Sequence, residues 1–299
     1  MPGTIPKRRF GRADEEVSIL GLGGAHVARN ESDRDAVALV RLAVDEGVTF
    51  LDNAWEYHEG RAEELYGKAL QDGYRERVFL MTKHHGRDRE TALRHLDESL
   101  KRMRTDVIDL WQFHEIIYED DPEMIFARGG AIEAAVEAKE AGKVRYIGFT
   151  GHKDPRILRK MLDHAFEWDS VQMPLNVLDA NFRSFQDDLV GELVGRGIAV
   201  LAMKTMAAGG VLETGAISVE EGLNYVWSLP VTTIVSGMHS PEILQENVRA
   251  ARSYTAMNRD EREEIAERVR SAAETGEYER YKSARDFDSR HGRELHEDG

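Results

Sequence analysis

Four side chains stand at or just past the ends of apolar, β-branched runs, where their types could support proton and hydride chemistry at a carbonyl group. Asp52 follows Thr49-Phe-Leu, Tyr57 lies in the loop beyond it, Lys83 follows Val78-Phe-Leu-Met-Thr, and His114 follows Val107-Ile-Asp-Leu-Trp-Gln-Phe. Hydride reduction of a carbonyl leaves an alkoxide, so a proton donor must sit on the oxygen in the transition state. Tyr57 can donate, although an unperturbed phenol with a pKa of about 10 is a slow acid near neutrality. An ammonium beside it, Lys83, would stabilise the phenolate and lower that pKa, and Asp52 would keep Lys83 charged and aimed. His114 could donate a hydrogen bond that orients and polarises the carbonyl. Singly, each has a plainer explanation: a helix cap, a rim tyrosine, a surface lysine, a hydrogen-bonded core histidine. Their joint place at successive strand ends is what favours chemistry.

The elements that would position them recur along almost the whole chain. Apolar runs at Val17–Leu22, Thr49–Asn53, Arg77–Thr82, Val107–Phe113, Val144–Phe149, Ser170–Met173, Ile198–Met203 and Thr232–Ser236 read as strands. Several are continuously apolar rather than alternating, as expected for strands covered on both faces of a parallel sheet. Helical spacing lies between them, as in Ala36, Val40, Ala43 and Val44, with Ser32 and Asp35 as a capping box and Gly47 as the stop. Further helices are expected over 131–141, 155–164, 185–195, 218–227 and 241–251. Strand starts fall roughly thirty residues apart, about one βα unit. Eight such units favour a single (β/α)8 TIM barrel over residues 1–257, an α/β fold, with an open doubly wound sheet as the other possibility. Residues 258–299 read as a charged C-terminal extension, helical and then irregular. Its run Arg259-Asp-Glu-Arg-Glu-Glu264 suits a solvated helix face, and Tyr278, Tyr281 and Phe287 could dock it back onto the barrel.

Composition narrows the classes. The 299 residues are 41% hydrophobic, enough for a large core, and carry a formal charge of −15. That charge disfavours nucleic acid and anionic membrane surfaces as partners. No run is long and apolar enough to cross a bilayer, and Lys7, Arg8 and Arg9 have no apolar stretch behind them as a signal peptide would. With no cysteine there is neither a disulfide nor Cys-ligated zinc, and a cytoplasmic location is expected.

At this point a resemblance enters. The segments Gly21-Leu-Gly-Gly24, Phe50-Leu-Asp-Asn-Ala-Trp-Glu-Tyr57, Glu63-Glu-Leu-Tyr-Gly-Lys-Ala-Leu70, Phe79-Leu-Met-Thr-Lys83 and Ile108-Asp-Leu-Trp-Gln-Phe-His114 are similar to those of aldo-keto reductases. So are Gly142-Lys-Val-Arg-Tyr-Ile-Gly-Phe-Thr150, Val171-Gln-Met-Pro-Leu-Asn176 and the stretch from Glu242 to Asn247, all in family order. The resemblance implies a tetrad of Asp52, Tyr57, Lys83 and His114, with Tyr57 as general acid/base, and a small-molecule aldehyde or ketone as partner. It implies a nicotinamide cofactor lying across the barrel mouth: Gly24 in the turn after the first strand, Thr150 and Gln172 at the carboxamide, Met203 against the ring, and Lys204 near the pyrophosphate. Gly237, Met238, His239 and Ser240 would meet the phosphates, and Glu246 and Asn247 the adenine edge. NADP is favoured only as the family habit, and NAD is possible, because the stretch after the last strand has no basic residue other than His239. Two more departures are Gly151 where many members have Asn, and Met203 where many have a stacking Tyr.

Other readings are weaker. A Schiff-base lyase would use Lys83 or Lys204 but needs no Asp-Tyr-Lys-His set. No metal centre is expected: His84 and His85 are adjacent on a strand and point apart, and His58, His152 and His164 have no chelating spacing. A cofactor-binding protein without turnover would not need the full tetrad. Trp55, Trp111 and Tyr118 suggest apolar surface near the mouth, with Trp111 equally suited to the core. The substrate and the oligomeric state are not readable from these residues.

Overall fold

The computed structural model describes residues 3–297. Its centre is a closed barrel of eight parallel strands: β3 (Leu20–Gly23), β4 (Phe50–Asp52), β5 (Phe79–His84), β6 (Ile108–Phe113), β7 (Val144–Thr150), β8 (Ser170–Pro174), β9 (Ala199–Met203) and β10 (Thr233–Ser236). Neighbours in sequence are neighbours in space, and the ring closes where β10 pairs with β3, Ile234 opposite Leu20. The expected barrel is thus the observed fold, and the open sheet is excluded. No helix among the described residues is long and apolar enough to cross a membrane.

Two cores follow from the two-residue period of a strand. Phe50, Phe79, Met81, Leu110, Ala199 and Leu201 face inward and fill the barrel. The alternate residues, such as Leu51, Leu80, Ile147 and Val200, face the helical shell, whose residues 33–45, 89–103, 131–140, 155–163, 219–227 and 241–253 supply the opposing apolar faces. Helix starts are capped as their sequences require: Ser32, Asp88, Asp154, Ser218 and Ser240 each accept from a backbone N–H of the first turn. At Ser32 only this half of the capping box forms, since the N3 residue is the shorter Asp35.

The first expected strand divides in two. Glu16–Ser18 (β2) pairs antiparallel with Lys7–Arg9 (β1) in a hairpin, and only Leu20–Gly23 joins the barrel. The hairpin plugs the barrel's N-terminal end, placing Phe10 against Phe79 and Tyr146 with ring centroids 4.7 and 5.3 Å away. Arg8 anchors it by donating to the carbonyls of Trp227 and Val231, each at 2.6 Å.

The C-terminal extension begins as the charged helix 259–273, capped by a reciprocal Asn258–Glu261 box, with Ile265, Val269 and Ala273 turned inward. The chain then runs across the opposite, C-terminal end of the barrel. Lys282 is fully buried and donates to Asp179 Oδ1 at 2.7 Å and Glu279 Oε2 at 2.9 Å, while Tyr281 and Asn176 hydrogen-bond at 2.9 Å. Tyr281 is buried, whereas Tyr278 and Phe287 are half-buried. Asp288 then pairs with Lys153, and the helix 290–297 brings His296 onto Tyr118 and Asp121. This strap crosses the loops after β9, β8, β7 and β6, with Tyr281 beside Lys204, and its end reaches His85 and Trp55 after β5 and β4.

Candidate active site

Strand alternation delivers the polar residues of the mouth. Asp52 is two residues above Phe50 on β4, Lys83 two above Met81 on β5, and Gln172 two above Ser170 on β8, so all share the inward face. Lys83 Nζ donates to Asp52 Oδ1 at 2.8 Å and to the Asn53 carbonyl at 2.8 Å, and lies 3.3 Å from the Tyr57 hydroxyl. Gln172 Nε2 donates to the other Asp52 oxygen at 2.7 Å. Lys83 and Asp52 are buried, and Tyr57 is half-exposed at the mouth. His114 follows β6, its ring edge-on to Tyr57 with centroids 5.6 Å apart. The structure therefore brings the four sequence candidates into one cluster. Lys83 is held as a hydrogen-bonded cation, which is not the free amine that a Schiff base needs.

The electrostatics differ from the sequence expectation in one respect. Burial, and then the Asp52 carboxylate, push the Tyr57 phenol well above its ordinary range. Lys83 does not reverse this, because Asp52 balances its charge and burial pulls its own pKa down. Tyr57 consequently keeps its proton at neutral pH, as a donor must. Burial also holds several histidines neutral: His114 and His26 are lowered to about 4 and His95 to about 3, and His84 and His152 fall as well. Between pH 6.5 and 5 the unfolded chain takes up protons that these histidines refuse, so stability falls as pH falls. His296 alone among the shifted histidines works the other way, since Asp121 and Asp120 outweigh its burial. We expect the melting temperature to drop steadily over that interval, and a flat profile by scanning calorimetry would contradict buried, neutral imidazoles.

The cofactor candidates divide by location. Thr150 and Gln172 are buried side by side at the ends of β7 and β8, and Gln172 Oε1 has no hydrogen-bond partner. Such an orphaned acceptor is suited to an amide N–H. Gly24 admits no side chain, since a Cβ there would lie 2.9 Å from both the Asn53 side chain and the Asp52 carbonyl. Gly237 is packed more closely still, its Cβ position lying 2.6 Å from the His26 ring. Arg29 and Lys204 are close enough to His26 to add to its depression, so this arc of the mouth gathers two basic side chains. Ser240 caps the helix 241–253 with Pro241 in its first turn, an N-terminus that favours anions. Met203 is half-buried at the end of β9, and the Lys204 ammonium sits 5.5 Å from the Tyr281 ring centroid. Met238, by contrast, is fully buried and offers the mouth no side chain.

Glu246 is exposed, but Asn247 turns inward, accepting from Ser236 Oγ at 3.0 Å and donating to the Ile243 carbonyl at 2.8 Å. A cavity of about 360 Å³ between the helices 219–227 and 241–253 is lined by Glu246, Asn247 and Arg249. A larger one, about 510 Å³, lies beneath the N-terminal hairpin around Arg8 and Tyr254, remote from the tetrad.

Of the three aromatic candidates, Trp111 belongs to the core, stacked on His84 at 4.0 Å. Trp55 stays at the mouth, stacked 3.6 Å from His95 and tied to Glu98. Tyr118 lies at the rim under His296. Sequence reasoning missed Glu56, Glu115, Ser289 and His291 and weighed His85 only as a poor chelating pair with His84; these residues surround His114 and Trp55. Glu56, His85 and Glu115 were within reach, since each is within two residues of a tetrad member.

Comparison with known proteins follows the same geometry. Residues 19–219 match the model of the Aldo/keto reductase family. The uncharacterized oxidoreductase YqkF of Bacillus subtilis is 25% identical over 288 residues, covering 82% of this chain and 90% of that protein. The aldo-keto reductase AKR11C1 of Bacillus halodurans in its holo form superimposes with a TM-score of 0.74 at 24% identity, over 88% of this chain and 96% of that one. The thermostable aldo-keto reductase Tm1743, in complex with the inhibitor epalrestat, gives 0.71 at 26% identity, over 88% and 99%.

Proposed function

Since the chain belongs to the aldo/keto reductase family, and with it to the NAD(P)H-dependent oxidoreductases, we propose that it reduces an aldehyde or ketone to the alcohol with Tyr57 as the acid. The observation that carries this reading is Lys83 Nζ, set between Asp52 at 2.8 Å and the Tyr57 hydroxyl at 3.3 Å. The nicotinamide supplies the hydride when bound. Tyr57 gives its proton to the substrate oxygen, and Lys83 stabilises the phenolate that forms. Asp52, fixed in turn by Gln172, keeps Lys83 aimed. His114 orients the carbonyl. Trp55, held by His95 and Glu98, forms one wall for the substrate. Oxidation of reduced nicotinamide, followed by its absorbance over a panel of carbonyl compounds with NADPH and NADH compared, tests the reading. No turnover with any carbonyl would overturn it.

The residues present fit the cofactor, with Gln172 Oε1 free for the carboxamide and the arc of His26, Arg29, His239 and Lys204 free for the pyrophosphate. NADPH remains the marginal favourite. Arg252, one possible cation for the 2′-phosphate, is committed to Glu46 at 2.8 Å, whereas Arg249 opens into the cavity with Glu246. A phosphate prefers a guanidinium partner, so Arg249 is the residue to hold it. We expect NADPH to bind less than ~100-fold (~2.7 kcal/mol) more tightly than NADH. Arg249→Ala should remove most of that difference by weakening NADPH alone, read as dissociation constants by fluorescence titration. Equal weakening of both cofactors would take Arg249 out of this role.

A further inference from the structure

Beside the Lys83 cluster the fold assembles a second one. Glu56 directly precedes Tyr57, His85 follows β5, and His114 follows β6. Their side chains are only 13%, 2% and 7% exposed. Glu56 Oε2 lies 3.0 Å from His85 Nε2, and Glu56 Oε1 lies 3.3 Å from His114 Nδ1. One donor atom from each residue falls within 4.8 Å of the other two.

Hydrogen bonding accounts for only part of this convergence, the 3.0 Å approach of His85 Nε2 to Glu56 Oε2. His114 Nδ1 is buried and has no hydrogen-bond partner, although a carboxylate oxygen is 3.3 Å away. At His85 Nε2 the hydroxyl contact is a long 3.5 Å approach of Ser289 Oγ. A buried imidazole nitrogen held against a carboxylate without an aligned hydrogen bond, with a second imidazole beside it, suits a cation between them. The spacing fits one: tetrahedral ligands at about 2.0–2.2 Å from a zinc ion stand roughly 3.3 Å apart. We propose that Glu56, His85 and His114 form a three-ligand site for a divalent transition metal of the zinc type, with the fourth position open toward the mouth.

This departs from the sequence expectation of no metal, and the reason is topological. His84 and His85 do point apart, His84 stacking on Trp111 in the core. The partners of His85 instead come from the loops after β4 and β6, which no local spacing reveals. His85 Nδ1 is buried without a hydrogen-bond partner.

The site also bears on His114. An imidazole that gives its Nδ1 proton to an ionised carboxylate keeps only a lone pair on Nε2 and cannot donate to a carbonyl. A metal on Nδ1 fixes the other tautomer and leaves Nε2–H as the donor.

Metal binding can be tested without reference to reductase activity. The full-length chain, stripped with chelator, is titrated with Co2+ and then Zn2+, following the visible absorption of tetrahedral cobalt. We expect one Co2+ per chain, displaced by Zn2+. Glu56→Gln and His85→Asn should each weaken binding by more than about 100-fold, beyond the loss typical of an outer partner. His239→Asn, an exposed change outside the cluster, serves as the folding-matched comparison for adventitious histidine binding. Absence of stoichiometric cobalt in the wild-type chain, or a spectrum unaltered in both ligand variants, overturns the proposal. Failure of carbonyl turnover would overturn the reductase reading instead and leave the cobalt result standing.

Discussion

Tyr57→Phe is expected to lose about 10²–10⁴-fold in carbonyl reduction, the range of a missing general acid, while binding NADPH as tightly as the parent. The change deletes one oxygen that faces the mouth and leaves Asp52, Lys83 and Gln172 in place, so the fold has no reason to respond. The loss should be in kcat and kcat/KM together, as for an interaction made only in the transition state. Because burial and Asp52 hold the Tyr57 phenol protonated, the parent's reduction rate should not fall between neutral and mildly alkaline pH. Stopped-flow reduction with saturating NADPH measures both. A Phe variant within threefold of the parent would remove Tyr57 from its assigned role.

Lys83→Met should do damage of a second kind. Asp52 would remain buried with Gln172 as its remaining side-chain partner, and removing one member of a buried ion pair typically costs about 3–5 kcal/mol. Activity should fall with it, since nothing else then stabilises the phenolate. Adding Asp52→Asn to the Met variant should restore part of the stability, because the uncompensated charge is gone, but none of the activity. Urea unfolding of the single and double variants reads the first effect, and steady-state rates read the second. If the single variant unfolds within about 1 kcal/mol of the parent, the pair is not isolated from water as the geometry indicates.

How far the sequence could be read follows from the range of the interactions involved. The eight barrel strands were legible because burial on both faces leaves runs such as Ile198–Met203 wholly apolar. Asp52, Lys83 and His114 were legible because they interrupt or end those runs. The hairpin of Lys7–Arg9 with Glu16–Ser18 was not, since three-residue strands have no period to detect. Trp111 was ambiguous between mouth and core because a strand's parity cannot be fixed without its neighbours. Helical phase within 241–253 decided that Asn247 turns inward while Glu246 does not. The net direction of the Tyr57 shift depended on how deeply Asp52 and Lys83 are buried together. The strap was the least visible: Lys282 with Asp179, and Ser289 with Glu115, join residues more than a hundred positions apart. Only the aromatic residues Tyr278, Tyr281 and Phe287 hinted that the charged tail returns to the barrel.

The strap and the closure of the ring also set an order of assembly. Neighbouring pairs from β3–β4 to β9–β10 can form as local βα units, but Leu20 must meet Ile234 from the far end of the barrel before the cylinder exists. Contacts of such high sequence separation form slowly, because loop entropy is lost before they reward it. Residues 277–297 cannot dock until that rim is in place, since their partners Asp179, Lys153, Glu115 and Asp121 come from loops that only the closed ring brings together. The wall beside Trp55 and His85 is therefore expected to form last during folding. A chain caught between ring closure and docking of the strap would display a finished barrel whose candidate active site lies open to water.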